Sequence, residues 1–149
     1  MASGAWIGIN EAIAALAEMD KRVDVATMTT TIQVAAEVEA RAKKNFVGSH
    51  RPGQPHVTNG PPDRPNIVTG TLRRSIHFTP TAKLAGGYTT TVGPSTVYGR
   101  RVELGFVGTD SLGRTYNQPA FEYFGPAVKE VRVRAQEIAT TNWAAAITR

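Results

Sequence analysis

The chain has no cysteine, which excludes disulfides and thiolate metal sites and fits a product of the cytosol. It is also poor in aromatics, at 7% of 149 residues, and holds only three histidines. Three histidines and scattered carboxylates do not supply the His/Asp cluster of a metal-dependent nuclease, so no metal is expected. No run approaches the roughly 20 apolar residues of a membrane span, so no membrane is expected among the partners. The opening MASGAWIGINEAIAALAEM lacks a basic leader, and Glu11 and Glu18 interrupt its apolar part, which argues against a signal peptide. The hydrophobic share of 41% lies slightly below that of a typical domain, so part of the chain should be loop. The length suits a single domain, residues 1–149, around one core.

Charge is segregated. Residues 1–40 set Lys21 and Arg22 against six acids, a net of −4. Residues 41–101 set ten Lys/Arg against Asp63 alone, a net of +9, and residues 102–149 balance to zero. The basic middle fits a solvated face, contact with nucleic acid, or docking on an acidic neighbouring surface.

Ile9, Ile13, Leu16, Met19 and Val23 recur at helical spacing behind Asn10, a candidate N-cap, and predict an amphipathic helix over 10–22. Asp24 is read as the cap of a second helix over 24–47, with Arg41, Lys43 and Lys44 at its negative end. Residues 48–66 carry five prolines and three glycines, which predicts a protruding arm, mobile in the free subunit, that carries Arg51, His56 and Arg64. His50 and His56, with only Asp63 nearby, make a poor metal site.

Thr69 is the N-cap candidate for a short helical turn. Strands follow at Ile76–Thr79 and Tyr88–Val92, with a turn signal at Gly86-Gly87, and a helical turn at Tyr98–Leu104. Thr109–Gln118 reads as a hairpin or loop turning at Ser111-Leu112-Gly113. Pro119 and Pro126 suit the start of a last helix over 119–148, with Val128, Val131, Ala135, Ile138 and Asn142 as its stripe. Trp143 beside it reads as a core or interface residue. The sum is an α+β domain in which a small antiparallel sheet, the 67–118 region, packs against two N-terminal helices and a long C-terminal one.

The search for chemistry returns little. Ser75 and His77 share a strand face, but no acidic third partner is evident and no nucleophile elbow surrounds either Ser75 or Ser95. The glycines never form a GxGxxG or P-loop, so no cofactor is expected. Arg100 and Arg101 lie within a helical turn of Glu103, and a structural ion pair is the expectation there. Arg73 and Arg74 follow an inward Leu72, free to reach an acidic neighbour or solvent. Tyr98 and Phe121 read as core aromatics; Tyr88, Tyr98 and the nearby arginines would be needed if nucleic acid were bound.

Three blocks remain: TGTLRRSI at 69–76, VGPSTVYGRRVELG at 92–105 and QPAFEYFGPAV at 118–128. In order and spacing they resemble the neck and tail-completion proteins of long-tailed bacteriophages, a head–tail joining family. The matching positions are Thr69, Gly70, Leu72, Arg73, Ser75, Ile76, Val92, Gly93, Tyr98, Val102, Glu103, Gly105, Pro119, Phe121, Pro126 and Ala127. Gly99 stands where the family usually has Ala, and the proline usual just before Phe121 is replaced by Pro119, one residue further upstream.

The resemblance implies a non-enzymatic virion subunit at the head–tail junction, present in the host cytoplasm during assembly. Copies of it would form a hexameric ring between the portal-side connector and the tail tube, or a terminator capping that tube. The motif residues, with Arg101 in the second block, are then expected to shape the sheet edge and the subunit contact. The 48–66 arm would reach a vertical neighbour, with Arg51, His56 and Arg64 as its docking residues, and lumen-facing cations would touch passing DNA transiently.

Overall fold

The computed structural model describes residues 8–148; Met1–Ile7, the first seven residues of the opening stretch read for a signal peptide, and Arg149 lie outside the described residues. Helix α1 spans Ile9–Lys44, 36 residues and ~54 Å at 1.5 Å per residue. It corrects the expected pair of helices. Nothing between Met19 and Val25 is Gly or Pro, so Asp24 has no break to cap and lies inside the helix. Its carboxylate instead accepts from Lys83 Nζ at 2.9 Å and Tyr88 Oη at 2.7 Å. The β-branched run after it is accommodated because Thr27, Thr30 and Thr31 donate their hydroxyls to the carbonyl four residues back.

Helix α4, Phe124–Ile147, lies antiparallel on the C-terminal two-thirds of α1. Small residues line the contact: Ala26, Ala35 and Ala42 on α1, Ala127 and Ala146 on α4. Glu37 pairs with Arg134 at 3.3 Å and Arg41 pairs with Glu130. Asn142 donates to Thr30 and Gln33, which fixes the far end. The buried stripe of α4 runs through Ala127 and Val131, so Val128 falls on its exposed side. The helix begins at Phe124, five residues after the expected start, because Pro119–Glu122 remain extended.

Between the two long helices come α2 (Thr71–Ser75), β1 (Ile76–Phe78), β2 (Ala82–Leu84), β3 (Gly87–Thr89), β4 (Val92–Pro94), α3 (Gly99–Leu104), β5 (Phe106–Thr109) and β6 (Thr115–Gln118). The fold is α+β. The expected single small sheet is three separate two-stranded antiparallel ladders, β1–β4, β2–β3 and β5–β6. The first two are one long hairpin interrupted at Thr79–Thr81, where Pro80 has no N–H for a ladder, and Thr79 N still donates to Thr91 O at 2.8 Å. The hairpin lies on α1, where Phe78 N donates to the Glu39 carboxylate. The β5–β6 turn closes on Asp110, whose carboxylate accepts from the backbone of Leu112 and Arg114 and from the Arg114 side chain. A small core of Ala42, Phe46, Leu72, Ile76, Tyr123 and Ala127 joins the ends of α1 and α2 to the start of α4.

Candidate functional site

The three sequence blocks meet at the N-terminus of α4. Glu103, at the end of α3, accepts the backbone N–H of Tyr123 and Phe124 on Oε2, both at 2.8 Å, and that of Gly125 on Oε1 at 2.7 Å. Those amides are orphans of a helix start, and a carboxylate there also suits the positive end of the helix dipole. Tyr123 is not a side-chain cap, and Pro126 needs no acceptor, so one side chain from twenty residues upstream serves the whole turn. The expected ion pair of Glu103 with Arg100 or Arg101 is absent among the described residues. The carboxylate is oriented by the amides instead.

Tyr123 fills the core beside it, 1% exposed, with its hydroxyl donating to Gly99 O at 3.2 Å and its ring 5.0 Å from that of Phe46. Burial, with Glu103 and Tyr98 nearby, pushes the phenol up to about 12. A Cβ on Gly99 would sit 2.6 Å from Pro94 Cγ, so the site requires glycine here. Gly105 adopts φ +72°, and a Cβ on it would come within 2.8 Å of Gln118 O and Ala120 N. The second and third blocks therefore touch backbone to backbone, where Phe121 N also donates to Val102 O at 2.8 Å. Asn45 Nδ2 ties the end of α1 in by donating to Tyr123 O.

The first block closes the same core from the other side. Gly70, at φ +74°, occupies the cap position of α2 expected for Thr69. Thr69 lies one residue before it, its hydroxyl against that of Thr71 at 2.9 Å. Leu72 is buried, Arg73 Nε donates to Lys43 O in the last turn of α1, and Arg74 Nη2 donates to Thr69 O. Ser75 spends its hydroxyl on Leu72 O at 2.8 Å, and His77 Nδ1 meets the carbonyl of Ser75 rather than its hydroxyl. No nucleophile–base contact forms between them. Arg101 lies beside both rings of an edge-on aromatic pair, 4.4 Å from the Phe106 centroid and 4.3 Å from that of Tyr116, a double cation–π contact.

The 48–66 segment corrects the expectation of a protruding arm. Its ends are pinned, with Val47 N donating to Pro65 O and Ile67 N to Gly48 O. Asn66 is buried and bridges Val47 and Val57 through both ends of its amide, while Asn59 and Asp63 bond across the turn they flank. Hydrogen bonds from three Asx side chains offset the ordering entropy that apolar burial does not cover, and those residues were the overlooked signal. His56, held to Asp63 at 2.9 Å, stacks on Phe121 with centroids 4.3 Å apart. Arg64 Nη1 donates to Glu122 O. Of the predicted docking residues only Arg51 points away from the body; Phe121 is half-buried under the loop, and Pro119 is exposed.

Beside this joint lies an apolar cleft of about 130 Å³, lined by Phe46, Ile67, Val68, Leu72, Tyr98 and Val102, with Arg73 at its rim. Tyr98 is 39% exposed there, so it lines a surface rather than the core. The sequence run 64–102 carries six Lys/Arg and no carboxylate, and of these cations Arg73 lines the cleft. Among the described residues no group of three or more His, Asp and Glu side chains converges to hold a metal. Comparison with protein-family models, curated proteins and solved structures returns no match for the chain.

Proposed function

We propose that this protein is a structural subunit of the bacteriophage head-to-tail connector, one copy of a ring between the portal-side connector and the tail tube. The resemblance of the three blocks suggests it, and one observation supports it. The block residues converge on a single joint, and there they are spent on holding backbone: Glu103 on three amides of α4, Arg73 on a carbonyl of α1, Ser75 on a carbonyl of α2. A joint whose polar side chains are spent on backbone groups suits a part that transmits contacts between neighbours, with no substrate transformed.

Deleting the coding sequence from its virus and imaging the particles tests the reading. Filled heads without attached tails are expected, and normally tailed particles would overturn it. Abnormally long tails would move the protein to the terminator that caps the tail tube. The sequence run 64–102, with six Lys/Arg and no carboxylate of its own, favours one reading of a different class, a nucleic-acid-binding module. Phosphate contacts weaken steeply with salt, so titration of a labelled duplex at low and moderate salt separates the two. Absence of binding at low salt removes that reading.

A further inference from the structure

We propose that the N-terminal overhang of α1 docks into the Val68–Tyr98 cleft of a second copy of this chain, with Leu16 as the inserted side chain. The proposal gives the ring contact above a location, and rests on that reading only for closure into a ring.

The last turn of α4 reaches α1 beside Lys21–Ala26, so residues 9–20 run on past it for ~18 Å. Ile9, Ile13 and Leu16 fall on one face of this overhang, at i, i+4 and i+7, and are 43%, 60% and 60% exposed. Asp20 continues the same face one turn further on and is exposed. Residues 9–20 hold Glu11, Glu18 and Asp20 and no cation. That sign disfavours a phosphate-rich occupant, whether nucleic acid or anionic lipid.

The cleft is complementary on both counts. Its lining is mainly apolar, with Asn66, Thr69 and Thr71 among the wall residues, and its volume of about 130 Å³ approaches the roughly 150 Å³ void that accepts a benzene ring, so one aliphatic side chain fits. Arg73 is the one charged residue of its lining, and Arg74 follows it directly in the chain. With Leu16 inserted, Asp20 lies one helical turn away, in reach of Arg73 or Arg74.

A chain cannot fill its own cleft. Phe46, in the cleft wall, follows the far end of α1, and about 42 Å of helix separates Leu16 from Lys44. The contact is therefore between different surfaces of two copies, a head-to-tail arrangement that closes into a ring or propagates as a filament.

Because the chain has no cysteine, disulfide trapping tests the contact directly. Leu16→Cys and Val68→Cys are made in separate full-length chains, both at exposed positions, and folding is checked by thermal melts. The chains are mixed and oxidised with copper phenanthroline, and Ser111→Cys on the exposed β5–β6 turn serves as the collision control. The 16–68 disulfide is expected at least fivefold above the control pairing, and above 16–16 and 68–68. Adding Asp20→Arg to the Leu16→Cys chain should cut that yield at least threefold, and Arg73→Glu in the Val68→Cys chain should restore it. A dominant 16–16 product would show overhangs pairing with one another and overturn the proposal. So would a 16–68 yield no higher than the control. A chain that traps efficiently yet is missing from the virion junction would sink the functional reading and leave this contact standing.

Discussion

Glu103 and Phe124 are joined by a hydrogen bond of 2.8 Å from the helix amide to the carboxylate, and the same side chain also holds Tyr123 and Gly125. A helix start in one block is thus capped by a residue of another. Glu103→Ala leaves three amides without their acceptor and is expected to destabilise the fold by about 2–3 kcal/mol. Thermal melts should show a fall of roughly 5–10 °C. Glu103→Gln keeps one acceptor oxygen and should lose less. A melt unchanged in the alanine variant would remove the cap from the account.

Gly99 and Pro94 are coupled by contact. Gly99→Ala places a methyl 2.6 Å from the proline ring, which cannot rotate away. Although alanine is the better helix former, the crowding should cost about 1–3 kcal/mol. Pro94→Ala in the same chain should recover most of the loss, and a double-mutant cycle in urea measures the coupling. Additive effects would mean that the clash relaxes elsewhere.

Tyr123 makes stability depend on alkaline pH. Its phenol is raised to about 12 by burial, with Glu103 and Tyr98 adding to it, against about 10 in an unfolded chain. The folded state holds the proton more tightly, so this contribution is complete below about pH 10 and declines as pH rises toward 12. Denaturation in urea from pH 9 to 11.5 should show a steeper loss in the natural chain than in Tyr123→Phe. Equal slopes would contradict the assignment.

At the acid end the sign reverses. Hydrogen bonding from Arg114, then from backbone amides, holds the Asp110 carboxyl below its ordinary range, and His56 does the same for Asp63. Both contributions are present above the unfolded value of about 3.9 and are lost as pH falls through the lower folded values. Asp110→Asn should flatten stability between pH 4 and pH 2 relative to the natural chain. Direct NMR titration of the Asp110 carboxyl at an ordinary value would count against it.

The 48–66 loop should be protected in solution by its tether. Removing the ring in His56→Ala and the guanidinium in Arg64→Ala takes away the stack on Phe121 and the bond to Glu122. Hydrogen exchange at Val57 and Asn59 should then accelerate about tenfold or more, since each amide depends on a loop side chain for its acceptor. Exchange at the unprotected rate in the natural chain would restore the mobile arm.

By itself the sequence determined what short-range chemistry can specify. Helical spacing placed the long N- and C-terminal helices, paired glycines and the Ser111–Gly113 turn marked the hairpins, and the Tyr98–Leu104 turn fell where expected. Those features depend on propensity and periodicity within a few residues. Tertiary structure alone decided that Asp24, in a stretch that no Gly or Pro interrupts, would face Lys83 and Tyr88. It also decided that the Pro-rich loop would fold back on Phe121, and that Glu103 would serve α4 rather than Arg100 or Arg101. Each of these turns on a partner distant in the chain, and which partner satisfies a polar group is set by how the elements pack.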